Sequence, residues 1–383
     1  MVLKKLELRD FRNIGACELE FGEGVNLFCG DNAQGKTNLL EAVWLLCGQK
    51  SFRGAKDAEM IRGGAQQAVI NGCFEGGERT HSCSMTLQSH QKTILHNDVR
   101  EASATALCEY VHEIVFAPQH LNLVQNGPEE RRAFLDGAIG ATKPAFFAQV
   151  RQYEGVVFQR NALLKKMNAG TAHGQEETLD AWTQRLCLLG AKVHIARRRY
   201  TDRLAKEASP LYGELSGGEK LEIIYRPSVE YDEGKYAQTL YAALGQTLTE
   251  DIRNGYTSLG PHREDFDLMI DGQKARGFAS QGQCKSAALV LKLTEGEILA
   301  GAVGERPLIL LDDVMSELDR KRQNYLLSRL NRNQILITCC ESGMLRRKLN
   351  AVVYKVKGGV ITPGKAPVCS STPATEKSSA TNA

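Results

Sequence analysis

Two stretches far apart in the chain carry residues whose types and spacing could handle a nucleoside triphosphate. Gly30-Asp31-Asn32-Ala33-Gln34-Gly35-Lys36-Thr37 fits the pattern G-x-x-x-x-G-K-[ST] at every fixed position. In such a loop the backbone N–H groups and the following helix N-terminus face phosphate oxygens. Lys36 would reach the β- and γ-phosphates, and Thr37 would hold Mg²⁺ through its hydroxyl. The second stretch, Leu308-Ile309-Leu310-Leu311-Asp312-Asp313, is an apolar run ending in two carboxylates. A run of this kind reads as a buried parallel strand whose last residues emerge at the ligand-binding edge of the sheet. Asp312 is suited to the Mg²⁺ shell, and Asp313 to polarising an attacking water.

A third element would decide which kind of nucleotide-binding head these two stretches belong to. ATP-binding-cassette heads place a second anion-binding helix N-terminus, the signature, against the γ-phosphate held by a partner head. Leu215-Ser216-Gly217-Gly218-Glu219 matches the usual L-S-G-G-Q form better by letters than Ala279-Ser280-Gln281-Gly282-Gln283 does. Physical context reverses that order. Lys220-Leu221-Glu222-Ile223-Ile224-Tyr225-Arg226-Pro227 follows the first candidate, and this alternating, β-branched, proline-stopped run is a strand with no helix dipole to offer. The second candidate opens a long apolar helix over residues 285–299 and stands 29 residues before Asp312, against 93 for Glu219. Ser280 and Gln283 are therefore the expected signature, and 215–219 a decoy turn.

The elements that must position these groups come from both ends of the chain. A short apolar strand, residues 25–29, leads into the phosphate loop, and residues 37–46 have helical spacing. Lys36 and Asp312 are 276 residues apart, so the nucleotide head must be assembled across a large insert. Residues 3–8, 69–74 and 82–88 alternate like strands. From about 129 to 210 apolar residues recur at helical spacing, with a soft break at 168–174, which predicts two antiparallel helices with a loop at their tip. A hairpin of that size would project about 60 Å at 1.5 Å per residue. The reading is an α/β fold: an ABC-type P-loop head with an inserted, mainly helical arm. The expected divisions are 1–120 and 255–363 for the head lobes, 121–254 for the arm, and 364–383 for a disordered Ser/Thr/Ala/Pro-rich tail.

Bulk properties are permissive. The 383 residues are 42% hydrophobic and 24% charged with a formal net charge of +3, which excludes wholesale disorder and leaves room for local basic patches. Such patches stand at Arg131-Arg132, at Arg197-Arg198-Arg199 with Arg203 and Lys206, and at Arg346-Arg347-Lys348. They could meet nucleic-acid phosphates without reading sequence. No run approaches the roughly 18 apolar residues of a membrane span. The eleven cysteines include no C-x-x-C pair, which fits reduced thiols in a cytoplasmic protein.

Phe11-Arg12-Asn13, residues 30–37, Phe116-Ala117-Pro118-Gln119, Arg131-Arg132-Ala133-Phe134-Leu135-Asp136, Gly260-Pro261-His262-Arg263, Ser280-Gln281-Gly282-Gln283 and residues 311–319 together resemble the bacterial RecF family of recombination-repair proteins. The resemblance implies an ABC/SMC-like ATPase with weak turnover used as a switch. It also implies ATP-induced dimerisation and binding to gapped DNA or single-/double-strand junctions in recombinational repair and replication restart. RecR, RecO and RecA are the implied partners, the last being loaded onto single-stranded gaps. By position, Arg12 and Asn13 look like nucleotide-lining residues, and Gln119 like the loop glutamine that completes the Mg²⁺ shell beside the catalytic Asp313. On the strand after Asp313, transporters place a histidine; this chain has Thr338, which sets it apart from the alternative reading, an ABC transporter ATPase subunit.

Overall fold

The computed structural model describes residues 1–51, 53–171, 174–340 and 349–364. The Arg346-Arg347-Lys348 cluster and all of the expected tail beyond Gly364 lie outside the described residues.

The head is built on a six-stranded sheet ordered Val360–Pro363, Val352–Lys357, Val25–Cys29, Ile335–Cys339, Leu308–Leu311, Glu113–Phe116. Its pairings are parallel except for the Val352–Lys357 to Val360–Pro363 hairpin. Strands from the first and last parts of the chain thus interleave in one sheet, which makes the head a joint product of both ends. Consecutive residues of Leu308–Leu311 feed opposite faces. Leu308 and Leu310 join the core around helix Lys36–Leu46, whereas Ile309 and Leu311 join the core around helix Gln281–Val303.

Helix Lys36–Leu46 is enclosed on its other side by an antiparallel sheet ordered Ile14–Glu20, Val2–Phe11, Gln67–Gly76, Arg79–Gln88, Lys92–His96, Val99–Arg100. Leu3, Leu6 and Leu8 pack there with Phe74, Met85, Leu39 and Val43. A register shift between Leu3 and Lys5 lets both Leu3 and Leu6 reach this face, which strict alternation would forbid.

The insert is more elaborate than a two-helix hairpin. It contains helices Pro128–Thr142, Ala145–Asn168 and Glu176–Ser216, then Tyr236–Gln246 and Leu248–Asn254. Pro144 makes the first break: it pushes Lys143 out of the helical region, to φ −143° and ψ 83°. Pro210, by contrast, breaks nothing. It lies on the exposed side of Glu176–Ser216, where water can reach the carbonyl it leaves unpaired, while Leu204, Ala208, Tyr212 and Leu215 stay buried on the other side. The helix ends six residues later at Ser216 and is capped by Gly217, whose φ of 97° suits glycine.

These 41 residues make a rod of about 62 Å, but its antiparallel partner has only 24 residues, about 36 Å. The hairpin therefore projects much less than its residue count implies. The surplus length runs back onto the head, where Leu204, Ala208 and Tyr212 share one core with Leu289 and Leu291 of Gln281–Val303. Strand Leu221–Arg226, expected in the arm, pairs antiparallel with Asp265–Ile270, which the division at 255 assigns to the head.

Buried ion pairs lock this junction. Arg197 grips Asp136 through two bonds of 2.7 Å, and Arg131 does the same to Asp265. Both arginines are 4% exposed. Two members of the expected phosphate-binding patches are thus internal braces with no surface to offer DNA. Arg198, Arg199, Arg203 and Lys206 remain exposed on the long helix.

Candidate nucleotide site

The phosphate loop joins the carboxyl end of Val25–Cys29 to helix Lys36–Leu46. Gly35 caps that helix with φ 111° and no side-chain bond, so no side chain competes for its first N–H groups. A side chain at Gly35 would also collide with the Asn13 amide, whose Oδ1 lies 2.7 Å from where a Cβ would be built. Ala33 too has a positive φ, 62°. Backbone held in a sparsely populated region at a ligand loop is a recurrent mark of a functional site.

Asn13 sits behind this loop. Its Nδ2 donates to the Gln34 carbonyl at 3.2 Å and its Oδ1 accepts from Asn38 Nδ2 at 2.8 Å. Gln34 is held from the other side by the N–H groups of Gly358 and Gly359. Lys36 is folded into the loop, its Nζ donating to the carbonyls of Gly30 and Asp31 at 2.6 and 2.9 Å. Cys340 contacts both Lys36 Nζ and Asn32 Oδ1.

The acidic strand ends beside the phosphate loop. Asp312 Oδ1 accepts from the Thr37 hydroxyl at 2.9 Å, linking residues 275 positions apart. The same oxygen accepts from Thr338 Oγ1 at 2.9 Å, whereas Oδ2 takes no hydrogen bond among the described residues. Burial raises the Asp312 pKa, and the two hydroxyl donors oppose that rise. A desolvated carboxylate with one bare oxygen, beside a threonine hydroxyl and a phosphate loop, fits a hard divalent cation. Asp313, φ 53°, occupies the left-handed region, and its N–H donates to Thr338 Oγ1 at 2.8 Å. Thr338, standing where transporters carry histidine, therefore ties both acidic residues together.

That tie predicts an effect. Thr338→Val keeps the shape, removes the bond to Asp312 and leaves the Asp313 N–H unpaired. Turnover should fall about thirtyfold, from two lost bonds at roughly 1 kcal/mol each. ATP affinity should hold, and Thr338→Ser should restore the rate. Steady-state ATPase kinetics check it; a valine variant with normal turnover contradicts it.

The remaining expected residues divide. Arg12 does not face open space: its Nε and Nη2 hold the two carboxylate oxygens of Glu41 at 3.0 and 3.1 Å, and Glu41 is fully buried. Its charge is committed to bracing the phosphate-loop helix. Gln119 is exposed in the short helix Pro118–Leu121. It lies three residues beyond Phe116, whose carbonyl accepts from the Asp312 N–H at 2.9 Å, so it stands on the same sheet edge as the acidic pair. Arg53 is a residue that the motifs did not flag. It donates to Asn38 Oδ1 at 3.0 Å and its charge lowers the Asp312 pKa. No local pattern singles it out.

Ser280 caps helix Gln281–Val303. Its Oγ accepts from the Gln283 N–H at 3.2 Å, and Gln283 Oε1 accepts the Ser280 N–H at 2.8 Å, a reciprocal capping box. Residues 215–219 instead end a helix and lead into strand Leu221–Arg226. Among the described residues, no hydrogen bond joins Ser280 or Gln283 to the phosphate loop or to Asp312. The helix-capping pair and the phosphate loop are thus separate constellations within one chain.

Comparison with known proteins places the whole chain in a family. The RecF/RecN/SMC N terminal domain profile matches residues 2–362. The curated protein "DNA replication and repair protein RecF" of Geobacillus thermodenitrificans is 35% identical over 369 residues, covering 94% of this chain and 99% of its own. Its Bacillus mycoides counterpart is 37% identical over 333 residues, covering 86% and 88%. A solved structure described as the recombination mediator protein RecF-ATP in the RecFOR pathway superposes with TM-score 0.88 at 34% identity, over 95% of this chain and 98% of that one. An SMC head bound to the C-winged helix domain of ScpA shares the fold at TM-score 0.56 and 14% identity, covering 96% and 98%. With an ABC/SMC-type head built from both chain ends and these end-to-end matches, the chain belongs to the RecF family.

Proposed function

We propose that this protein is an ATP-dependent DNA-binding protein of recombinational repair and replication restart, which closes as a dimer around two ATP molecules. The observation that carries the reading is the pairing of Thr37 with Asp312 in one half-site and the separate, helix-backed Ser280–Gln283 cap in the other. Neither half is complete alone. In the dimer each phosphate loop would meet the partner's signature.

The roles follow from the contacts. Lys36 would exchange its two loop carbonyls for phosphate oxygens, which hold a cation more strongly than neutral acceptors do. The N–H groups of 30–37 cradle the phosphates, with Asn13 fixing the loop and Arg12 the helix behind it. Thr37 and Asp312 would hold Mg²⁺, with Gln119 reaching in from the neighbouring strand end. The cation's part is to draw charge off the β- and γ-phosphates. Asp313 orients a water for in-line attack: a new O–P bond forms, the bond to the leaving ADP oxygen breaks, and the proton passes to Asp313. A dimer held closed by ATP and opened by hydrolysis uses a slow ATPase as a timer.

DNA contact is expected from backbone charge rather than base reading, with Arg198, Arg199, Arg203 and Lys206 as exposed candidates. Gapped duplexes and single-/double-strand junctions are the proposed substrates. RecR and RecO are the proposed partners in loading RecA, in keeping with the RecFOR context named for the solved relatives. Among the described residues no helix is long and apolar enough to cross a membrane. We place the protein in the cytoplasm.

A gel shift on gapped DNA, run with and without ATP across a salt series, tests the function. Binding should strengthen with ATP and weaken steeply with salt, because each neutralised phosphate releases counterions. Binding indifferent to ATP would remove the switch from the account.

A further inference from the structure

The turn 215–219 opens no helix toward a phosphate, yet it touches the element that does. Glu219 Oε1 accepts from Gln283 Nε2 at 2.9 Å, and its Oε2 accepts from the Tyr212 hydroxyl at 2.9 Å. The Glu219 N–H donates to Ser216 Oγ at 3.1 Å. The carboxylate is therefore fixed from behind by the last turns of the 41-residue arm helix and in front by the signature glutamine. The opposite end of that same Gln283 amide accepts from the Ser280 N–H. One side chain thus lies between the arm root and the serine that caps the signature helix.

The neighbouring contacts run in the same direction. Leu211 and Glu214 of the arm helix accept hydrogen bonds from Tyr325 and Arg329 on helix Arg320–Arg329. From that helix, Arg322 donates to the Gly282 carbonyl and to Ser286 Oγ at the start of the signature helix. The final turns of the arm rod are therefore bonded to both elements that flank the signature.

We propose that Glu219 is a positioning residue that holds Gln283 in the signature cap and so makes ATP-dependent dimerisation answer to the seating of the arm. The inference rests on the ATP-sandwich reading and deepens it. Two physical effects of Glu219 have opposite signs, which makes the assignment testable. Its negative charge near a helix N-terminus competes with an incoming phosphate, so charge alone would hinder closure. Its hydrogen bond fixes a glutamine that otherwise samples several rotamers, so positioning promotes closure.

Glu219→Gln removes the charge and keeps an acceptor for Gln283 Nε2; Glu219→Ala removes both. Sedimentation across an ATP titration should give an ATP requirement no higher than wild type for Glu219→Gln, which loses only the opposing charge, and one raised about tenfold for Glu219→Ala. Gln283→Ala should match Glu219→Ala, and the double variant should be no worse than either single one. Binding of a fluorescent ATP analogue to the protomer should be unchanged in both Glu219 variants, which separates positioning from misfolding. Easier dimerisation in both Glu219 variants would assign the residue to charge gating and overturn the proposal. Wild-type behaviour of Glu219→Ala would overturn it too, provided that Ser280→Arg still blocks pairing. If Ser280→Arg also pairs normally, the ATP-sandwich reading itself fails.

Discussion

Asp313→Asn protein should turn ATP over about a thousandfold more slowly than the parent, as expected when a proton acceptor is lost from phosphoryl transfer to water. The substitution suits the site unusually well. Asp313 sits at φ 53°, a region that asparagine tolerates at least as readily as aspartate, so the strained turn survives. The backbone N–H that donates to Thr338 is unaffected, and Asp312 keeps its bonds from Thr37 and Thr338. Nucleotide binding and pairing should therefore persist while release fails. The variant should accumulate as an ATP-held dimer on DNA, read by phosphate release in parallel with sedimentation. Near-normal turnover would move the water-activating role away from Asp313.

Much of this site was legible because its parts are local patterns joined by one physical requirement. Residues 30–37 and 308–313 are each recognisable alone, and a phosphate loop needs an acidic strand beside it. That requirement brings Thr37 to Asp312, and their side chains meet across 275 positions. The choice of Ser280 over Ser216 also rested on local physics, since only one of them opens a helix.

What the sequence hid depends on distant partners. Arg131 and Arg197 look identical to solvated arginines until Asp265 and Asp136 arrive from elsewhere in the chain. Arg12 reads as a nucleotide contact, but Glu41, on the buried face of the phosphate-loop helix, takes its guanidinium. Two prolines with the same local chemistry act differently. Pro144 breaks a helix, whereas Pro210 is carried through one because its surroundings pack on the opposite side. The turn 215–219 shows its lack of a following helix in its own letters; its grip on Gln283 depends on a contact 64 residues away in sequence.

Ser280→Arg carries the largest expected effect on assembly. Ser280 is the N-cap of a 23-residue helix, and in the proposed dimer this helix start would face the partner's γ-phosphate. Arginine removes the cap, worth about 1 kcal/mol, which a large core absorbs without unfolding. The greater consequence is steric, because a long side chain would fill the space that the partner's phosphate must enter. The protomer's own phosphate loop has no hydrogen bond to Ser280 among the described residues, so binding of ATP to the single head should be unchanged.

Sedimentation of the wild-type and Ser280→Arg proteins, each with and without ATP, tests the central claim most directly. The wild type should shift from monomer to dimer on adding ATP, and Ser280→Arg should stay monomeric at every ATP concentration while still binding the nucleotide. A Ser280→Arg protein that dimerises with ATP as the wild type does would contradict the shared-site account.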